Sequence, residues 1–350
     1  MKDFIKRHLK LILIILIIII AVVVFFIIKN SKKIKLQEYV VPEYNYFVMY
    51  SVDENVGVID KKGKLIIEAK YSDIFIPNPS KDRFVCYENN GSYKFLNSKS
   101  EELFKDYEDV SLLQTSDMNL DFDKNFFRFK KDGLYGLIDY DGNVVVSANY
   151  DSLESLRYKP GEILAQKDGK CGVIGNDGKI KIDIKYDSVM GDEYFTQKYG
   201  YAQAGYIIGI KTSNGFMYGY LDYDGEEMLD QKFESISRVP KYNTSDYYLI
   251  VMNNGKKGVY KNSKQLIEQK YQSINYADNS DLFVVKRNSK YGIFSSNGKE
   301  ILAVKYVAYN LAGDYISVET ESGKKELYDV NGNKISNLNY KSIQASRRHR

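Results

Sequence analysis

The sequence predicts an all-β repeat domain behind one transmembrane α-helix. Three observations lead there. A double spacing of glycine, glycine and aromatic residue recurs along the chain. Tyrosine is abundant (32) and proline scarce (5), a balance that favours strands. One uninterrupted apolar run lies near the N-terminus.

The spacing is clearest at Leu134–Leu153. Leu137-Ile138 leads into Asp139-Tyr140-Asp141-Gly142-Asn143, and Val144-Val145-Val146 returns towards Tyr150. Asp-Gly between apolar runs signals a hairpin, because glycine takes positive φ without steric cost. The frame is Gly57, Gly63, Tyr71; then Gly136, Gly142, Tyr150; then Gly172, Gly178, Tyr186; then Gly219, Gly225, Phe233; then Gly292, Gly298, Tyr306. Each time, the first glycine precedes the turn glycine by six positions, and the turn glycine precedes the aromatic by eight. Three more copies are degenerate: Gly258 to Tyr271, Gly332 to Tyr340, and Tyr93–Asn97 to Tyr107. The closing aromatics are 36, 43, 36, 47, 38, 35 and 34 residues apart, a period typical of repeat architectures.

This pattern resembles the WG-repeat family, bacterial repeats of the form Trp-Gly-x-Ile-Asp-x-x-Gly-Lys-x-x-Ile-x-Pro-x-Tyr-Asp. Tyr135-Gly136, Tyr218-Gly219 and Tyr291-Gly292 stand where the family has Trp-Gly, and the chain has no tryptophan. Cys171-Gly172 and Lys257-Gly258 depart further. The family's proline, two before the closing aromatic, is replaced by Ala69, Ala148, Ile184, Gln231, Gln269 and Val304. The resemblance covers roughly residues 45–343. It implies a non-catalytic repeat module and carries over no active-site residue.

In chain order, residues 1–10 form a short basic segment. Leu11–Ile28 is eighteen apolar residues, spanning roughly 27 Å as a helix, near the hydrocarbon thickness of a bilayer. No small-x-small cleavage site comes after it, so an uncleaved anchor is expected rather than a signal peptide. Four Lys/Arg flank it on each side, so the positive-inside rule ties. An anchor at the start of a chain usually sends the downstream residues across the membrane, which places the repeat domain outside the cell. Residues 29–43 read as a basic, polar stalk, 44–343 as the repeat domain of about eight units, and 344–350 as a basic tail. The Lys-, Ile- and Asn-rich, Trp-free composition points to an AT-rich Gram-positive bacterium.

Each unit offers about three strands: a lead-in such as Glu162–Gln166, the Gly-Val-Ile-Asp strand, and the return. Tyr150-Asp151-Ser152-Leu153 then turns the chain out. Lys131-Asp132-Gly133 and Lys167-Asp168-Gly169 mark second tight turns. A unit this small cannot bury its own apolar face, so neighbours must stack. A β-propeller suits repeats of this length, and an open β-solenoid of three-stranded units is the alternative. The inserts Ser111–Asp123, Met190–Gly205 and Thr212–Gly215 are expected as loops on one face, where repeat proteins often bind.

The net charge is +4. Residues 1–35 hold eight Lys/Arg against one Asp, and Arg347, Arg348 and Arg350 add three more, which leaves −6 on the stretch between. A mildly acidic domain argues against a nucleic-acid surface. The only histidines, His8 and His349, lie outside the domain. That removes Ser-His-Asp and Cys-His catalysis and any histidine-bound zinc. Asp139-x-Asp141-Gly142 and Asp222-x-Asp224-Gly225 faintly resemble calcium loops. Their glycine comes at the fourth position rather than the sixth, which fits a hairpin tip. Cys86 and Cys171 read as two small buried side chains. No cofactor or metal is expected. Tyr140, Tyr223, Tyr242, Tyr247 and Tyr248 fall at turns or inserts, where an aromatic ring could stack on a sugar or anchor a partner. The reading is a membrane-anchored, non-catalytic binding module for a protein or envelope polymer. The alternative is a cell-envelope glycan hydrolase using paired carboxylates.

Overall fold

A computed structural model describes residues 43–114, 122–156, 159, 161–196, 200–240, 247–335, 340 and 342–344. The expected basic segment, membrane helix and stalk (to residue 42), the tail from residue 345, and Tyr242 lie outside the described residues. No described helix is long and apolar enough to cross a membrane. From Glu43 onward the chain forms one compact unit.

That unit is all-β. Among the described residues, eight separate antiparallel sheets succeed one another along the chain, each an up-and-down meander. Sheet 4 shows the plan, with strands Ser152–Ser155, Glu162–Lys167, Lys170–Gly175 and Ile180–Tyr186. Among the described residues, sheets 2 to 7 have four strands, and sheets 1 and 8 have three. Among the described residues the only helix is a 3-10 turn at Asp278–Ser280.

The extra strand corrects the three-stranded expectation. The residues after each closing aromatic do not leave the sheet structure: Ser152–Ser155 opens sheet 4, and Ser273–Ala277 opens sheet 7. These strands carry few apolar residues, such as Leu153 and Ile274, so hydrophobic alternation barely marks them.

In sheets 3, 4, 6 and 7 the second and third strands meet in two-residue turns with both residues at positive φ. Asp132 and Gly133 have φ 52° and 78°, and Asn254 and Gly255 have φ 48° and 65°. This geometry matches the right-handed strand twist. Several sheets have, after the third strand, a wider turn closed by a carboxylate. Asp139 Oδ1 accepts the backbone N–H of Asp141 and of Asn143, each at 2.9 Å. Asp60, Asp222 and Asp329 do the same two and four residues ahead. Gly142, at φ 88°, completes that turn in a conformation a side chain would strain.

Packing runs from sheet to sheet. Seven apolar clusters each draw their buried residues from two consecutive sheets. In Leu282-Phe283-Val284-Val285 every residue is buried. Phe283 and Val285 face sheet 6, while Leu282 and Val284 face sheet 8. Side chains alternate across a strand, so a strand packed on both faces reads as a continuous apolar run.

One expected loop is strand over its described residues, and the described ends of another are strand. Met190–Gly205 lies in a long hairpin of Ser188–Thr196 with Gly200–Thr212, paired from Ser188↔Gly209 to Thr196↔Gly200. Its Gly, Asp and Glu residues resemble a loop, but the extended ladder meets the backbone's hydrogen-bonding needs. The ends of Ser111–Asp123 lie in the strands Asp109–Gln114 and Phe122–Lys131. Thr212–Gly215 is a turn between strands.

Candidate functional site

In a meander the first-to-second corner and the third-to-fourth turn lie at the same end of each sheet. That end carries the two long inserts, both in first-to-second corners. It is therefore the variable end, while the opposite end carries short turns, of two residues in sheets 3, 4, 6 and 7.

Four polar networks stand at this end, each placed by a corner or its flanking strands. In the corner of sheet 4, Lys159 is 6% exposed. Its ammonium lies 3.2 Å from Glu162 Oε1 and donates to the backbone carbonyl of Tyr223 in the turn of sheet 5. It also sits over the Tyr223 ring, 4.1 Å from the centroid. Tyr206 Oη donates to the other Glu162 oxygen at 2.5 Å. Burial pushes the Lys159 pKa down, against the pull of Glu162. Burial, with the Glu162 charge beside it, pushes the Tyr206 phenol up.

A second network joins sheets 5 and 6. Arg238 Nε lies 2.8 Å from Asp192 Oδ2, and Tyr220 Oη donates to the same oxygen at 2.7 Å. Arg238 also donates to the Glu193 carbonyl at 2.8 Å. Burial raises the Asp192 pKa, opposed by the Arg238 charge. In sheet 7, Asp281 accepts from Tyr276 Oη at 2.5 Å and Ser296 Oγ at 2.7 Å. In sheet 2, Asp82 pairs with Arg83 at 2.5 Å and accepts from Ser98 Oγ at 2.8 Å. Arg83 then reaches Asp141 in the turn of sheet 3, at 3.7 Å.

The chemistry of these networks is that of fixed corners. Each acid is taken up by cations, hydroxyls or turn amides, and Lys159 and Arg83 tie one sheet's corner to the next sheet's turn. Among the described residues no three His, Cys, Asp or Glu side chains are grouped to hold a metal. The suspected calcium loop at Asp139 spends its carboxylate on Asp141 N–H, Asn143 N–H and the Asn143 amide. These networks were missed from sequence because a lone Lys159 or Arg238 in a corner has no motif.

The repeat positions fall into three places. Gly57, Gly136, Gly172, Gly219 and Gly292 lie where the next-to-last strand of a sheet crosses the last at a register shift. Gly63, Gly142, Gly178, Gly225 and Gly298 are turn residues at positive φ. Tyr71, Tyr186, Phe233 and Tyr306 are buried in the core shared with the following sheet, and Tyr150 is half-buried. Tyr140 and Tyr248 are buried core residues rather than surface rings, and Tyr247 is half-buried. Tyr223 is exposed. Cys86 and Cys171 are free thiols in sheets 2 and 4; Cys86 is buried as expected, whereas Cys171 is only half-buried.

Fold and site together define an all-β repeat scaffold whose corners are tied sheet to sheet. Two stretches, residues 57–91 and 135–171, match the WG containing repeat. Each runs from the next-to-last strand of one sheet into the next sheet. No curated protein matches the chain. Among solved structures it is similar to a eukaryotic initiation factor, at 12% identity over 84% of this chain and 85% of that one, with a TM-score of 0.31. It is also similar to the computationally designed Ika8 protein, at 13% identity over 82% and 94%, TM-score 0.24. BamB from Moraxella catarrhalis gives 12% identity over 73% and 79%, TM-score 0.25.

Proposed function

We propose that the chain is a membrane-anchored, non-catalytic binding module, displayed outside a bacterial cell. Its eight sheets are arranged as a propeller, and its variable end binds a protein or an envelope polymer. The observation that carries this reading is the tying of neighbouring sheets at that end. Lys159 reaches the Tyr223 carbonyl, and Ser280 Oγ donates to the Gly313 carbonyl of the next sheet at 3.3 Å. A surface held this way loses little conformational entropy when it binds. The exposed ring of Tyr223 lies on it. The apolar run Leu11–Ile28 supports the anchor, and the WG-repeat match supports a module without catalysis.

Two experiments test the reading. Protease shaving of intact cells should remove the repeat domain while a cytosolic protein survives; protection until lysis would overturn the external placement. The purified domain should retain wall polysaccharide or surface protein from the same cells, and Tyr223→Ala should weaken retention. Turnover of wall polysaccharide, lost in a carboxylate-to-amide scan, would replace the binder by the hydrolase alternative.

A further inference from the structure

We propose that the groups around the Lys159 ammonium form a recognition site for an alkylammonium group on the partner, and that Lys159 fills this site in the free protein. This rests on the binding-module reading above and gives the partner's chemical class.

Two tyrosine rings face the ammonium. The Tyr223 centroid lies 4.1 Å from Nζ and the Tyr206 centroid 4.9 Å. Both are inside the ~6 Å range over which a ring face attracts a cation. Glu162 Oε1 lies 3.2 Å away, and the Tyr223 carbonyl accepts a hydrogen bond from the same head. Two ring faces, a carboxylate and a carbonyl suit any alkylammonium. A quaternary head suits the rings best, because it brings no N–H that must be rebonded when it leaves water.

Each wall has a support other than the lysine. Tyr206 is 0% exposed and lies in the core shared by sheets 4 and 5. Its hydroxyl is held by the other oxygen of Glu162. Tyr223 belongs to the turn between the strands Gly215–Asp222 and Glu227–Phe233. Asp222 Oδ1 fixes that turn by accepting the N–H of Asp224 and of Glu226, each at 2.9 Å. The site is therefore built into the two sheets, and Lys159 is its occupant rather than its frame.

The surroundings are made for a cation. After the turn glycine stand Lys64, Asn143, Lys179, Lys299 and Asn333 in sheets 1, 3, 4, 7 and 8, but Glu226 in sheet 5. Between Leu221 and Gln231 there are five acids and no lysine or arginine. Such a field draws cations towards the site.

The occupant can be exchanged. Burial works against the Lys159 ammonium and Glu162 works for it; Asp222 adds to the second effect and Lys181 to the first. Of the two rings, Tyr223 is the exposed one, at 44%. It gives an incoming cation its way in. That cation restores the link from Glu162 to the Tyr223 carbonyl, so the corner stays fixed once the partner is bound.

The test uses the full chain in detergent. Choline, its uncharged isostere with carbon in place of nitrogen, and N-acetyl-lysine methylamide are titrated, with calorimetry and melting temperature as readouts. Wild type should bind both cations and not the isostere. Lys159→Ala should bind them about tenfold tighter or more, since an apparent affinity is reduced by the fraction of molecules in which the site is free. Adding Tyr223→Ala should remove that gain. If Lys159→Ala does not fold, the wild-type titration and Tyr223→Ala alone decide. No binding by wild type overturns the proposal, and so does equal binding of the isostere or binding unchanged by Tyr223→Ala. Binding by Lys159→Ala alone would make the lysine a permanent strut and also overturns it. Either ranking of the two cations supports the site: choline in front points to a decorated polymer or lipid headgroup, the lysine derivative to a protein side chain. Retention of wall polysaccharide or surface protein without cation binding removes the site and leaves the binding module. Cation binding without retention leaves the site and removes the module reading.

Discussion

Gly136 passes so close to the carbonyl oxygen of Val146 that a Cβ added to it would stand 2.5 Å away. The fourth strand bulges across the third at this point, and only hydrogen fits between them. Gly57 meets Ile67, and Gly172 meets Ile182, in the same way, each at 2.6 Å. This explains why the first glycine of the repeat is needed although its φ is ordinary.

Gly136→Ala should therefore lower stability by roughly 1–3 kcal/mol through overpacking. Gly63→Asn should cost less, because a Cβ there meets nothing within 4 Å and asparagine tolerates the left-handed conformation. Urea midpoints of the two variants decide it: equal losses would mean the close approach is not what selects glycine.

Breaking the Asp192–Arg238 pair should be more damaging than removing it. Arg238→Met leaves the buried Asp192 carboxylate without its cation, a loss of about 3–5 kcal/mol. Adding Asp192→Leu should recover much of that. A double-mutant cycle by chemical denaturation measures the coupling, and additive losses would show that the pair acts as two independent residues.

Acid should unfold the sheets through their turn aspartates. The Asn333 side-chain amide and the turn N–H groups hold the Asp329 carboxyl below its usual 3.8. The Lys64 and Lys62 N–H groups do so for Asp60. A lowered folded pKa gives stability that is fully present above the usual value and is lost as pH falls through the folded one. Melting temperature should thus fall as pH drops below about 4. Asp60→Asn with Asp329→Asn should flatten that limb, and an unchanged slope would place the acid sensitivity elsewhere.

Cys86 should be silent towards thiol reagents. Burial pushes its thiol up to about 12, so at neutral pH the nucleophilic thiolate is absent. Maleimide should label it only after denaturation. Rapid labelling of the folded protein at Cys86, read by peptide mapping, would show that the core of sheets 1 and 2 opens.

The repeated elements of the fold were legible because one constraint recurs in each unit. Asp139-Tyr140-Asp141-Gly142 announces its turn through the carboxylate that closes it and the glycine that takes its positive φ. Runs such as Phe283-Val284-Val285 announce strands packed on both faces. The features that stayed illegible have equally physical causes. Ser152–Ser155 is too short and polar to show alternation. Met190–Gly205 carries loop-forming residues on a ladder set by its partner strand. Tyr140 and Tyr248 were placed at the surface because position relative to a turn does not tell which face a ring takes. Lys159 and Arg238 owe their setting to residues 64 and 46 positions away, Tyr223 and Asp192. No local pattern encodes such a meeting.

The seven shared cores have a mechanical meaning. Among the described residues each sheet shares its cores with the one before and the one after, so a pull along the chain is carried in series. A meander loaded from its ends yields by peeling, one strand and then one core at a time, and the sheets beyond the break keep their own. For a domain held to a surface at one end, such a scaffold would lengthen in small steps under drag and could shorten again from the sheets that remain.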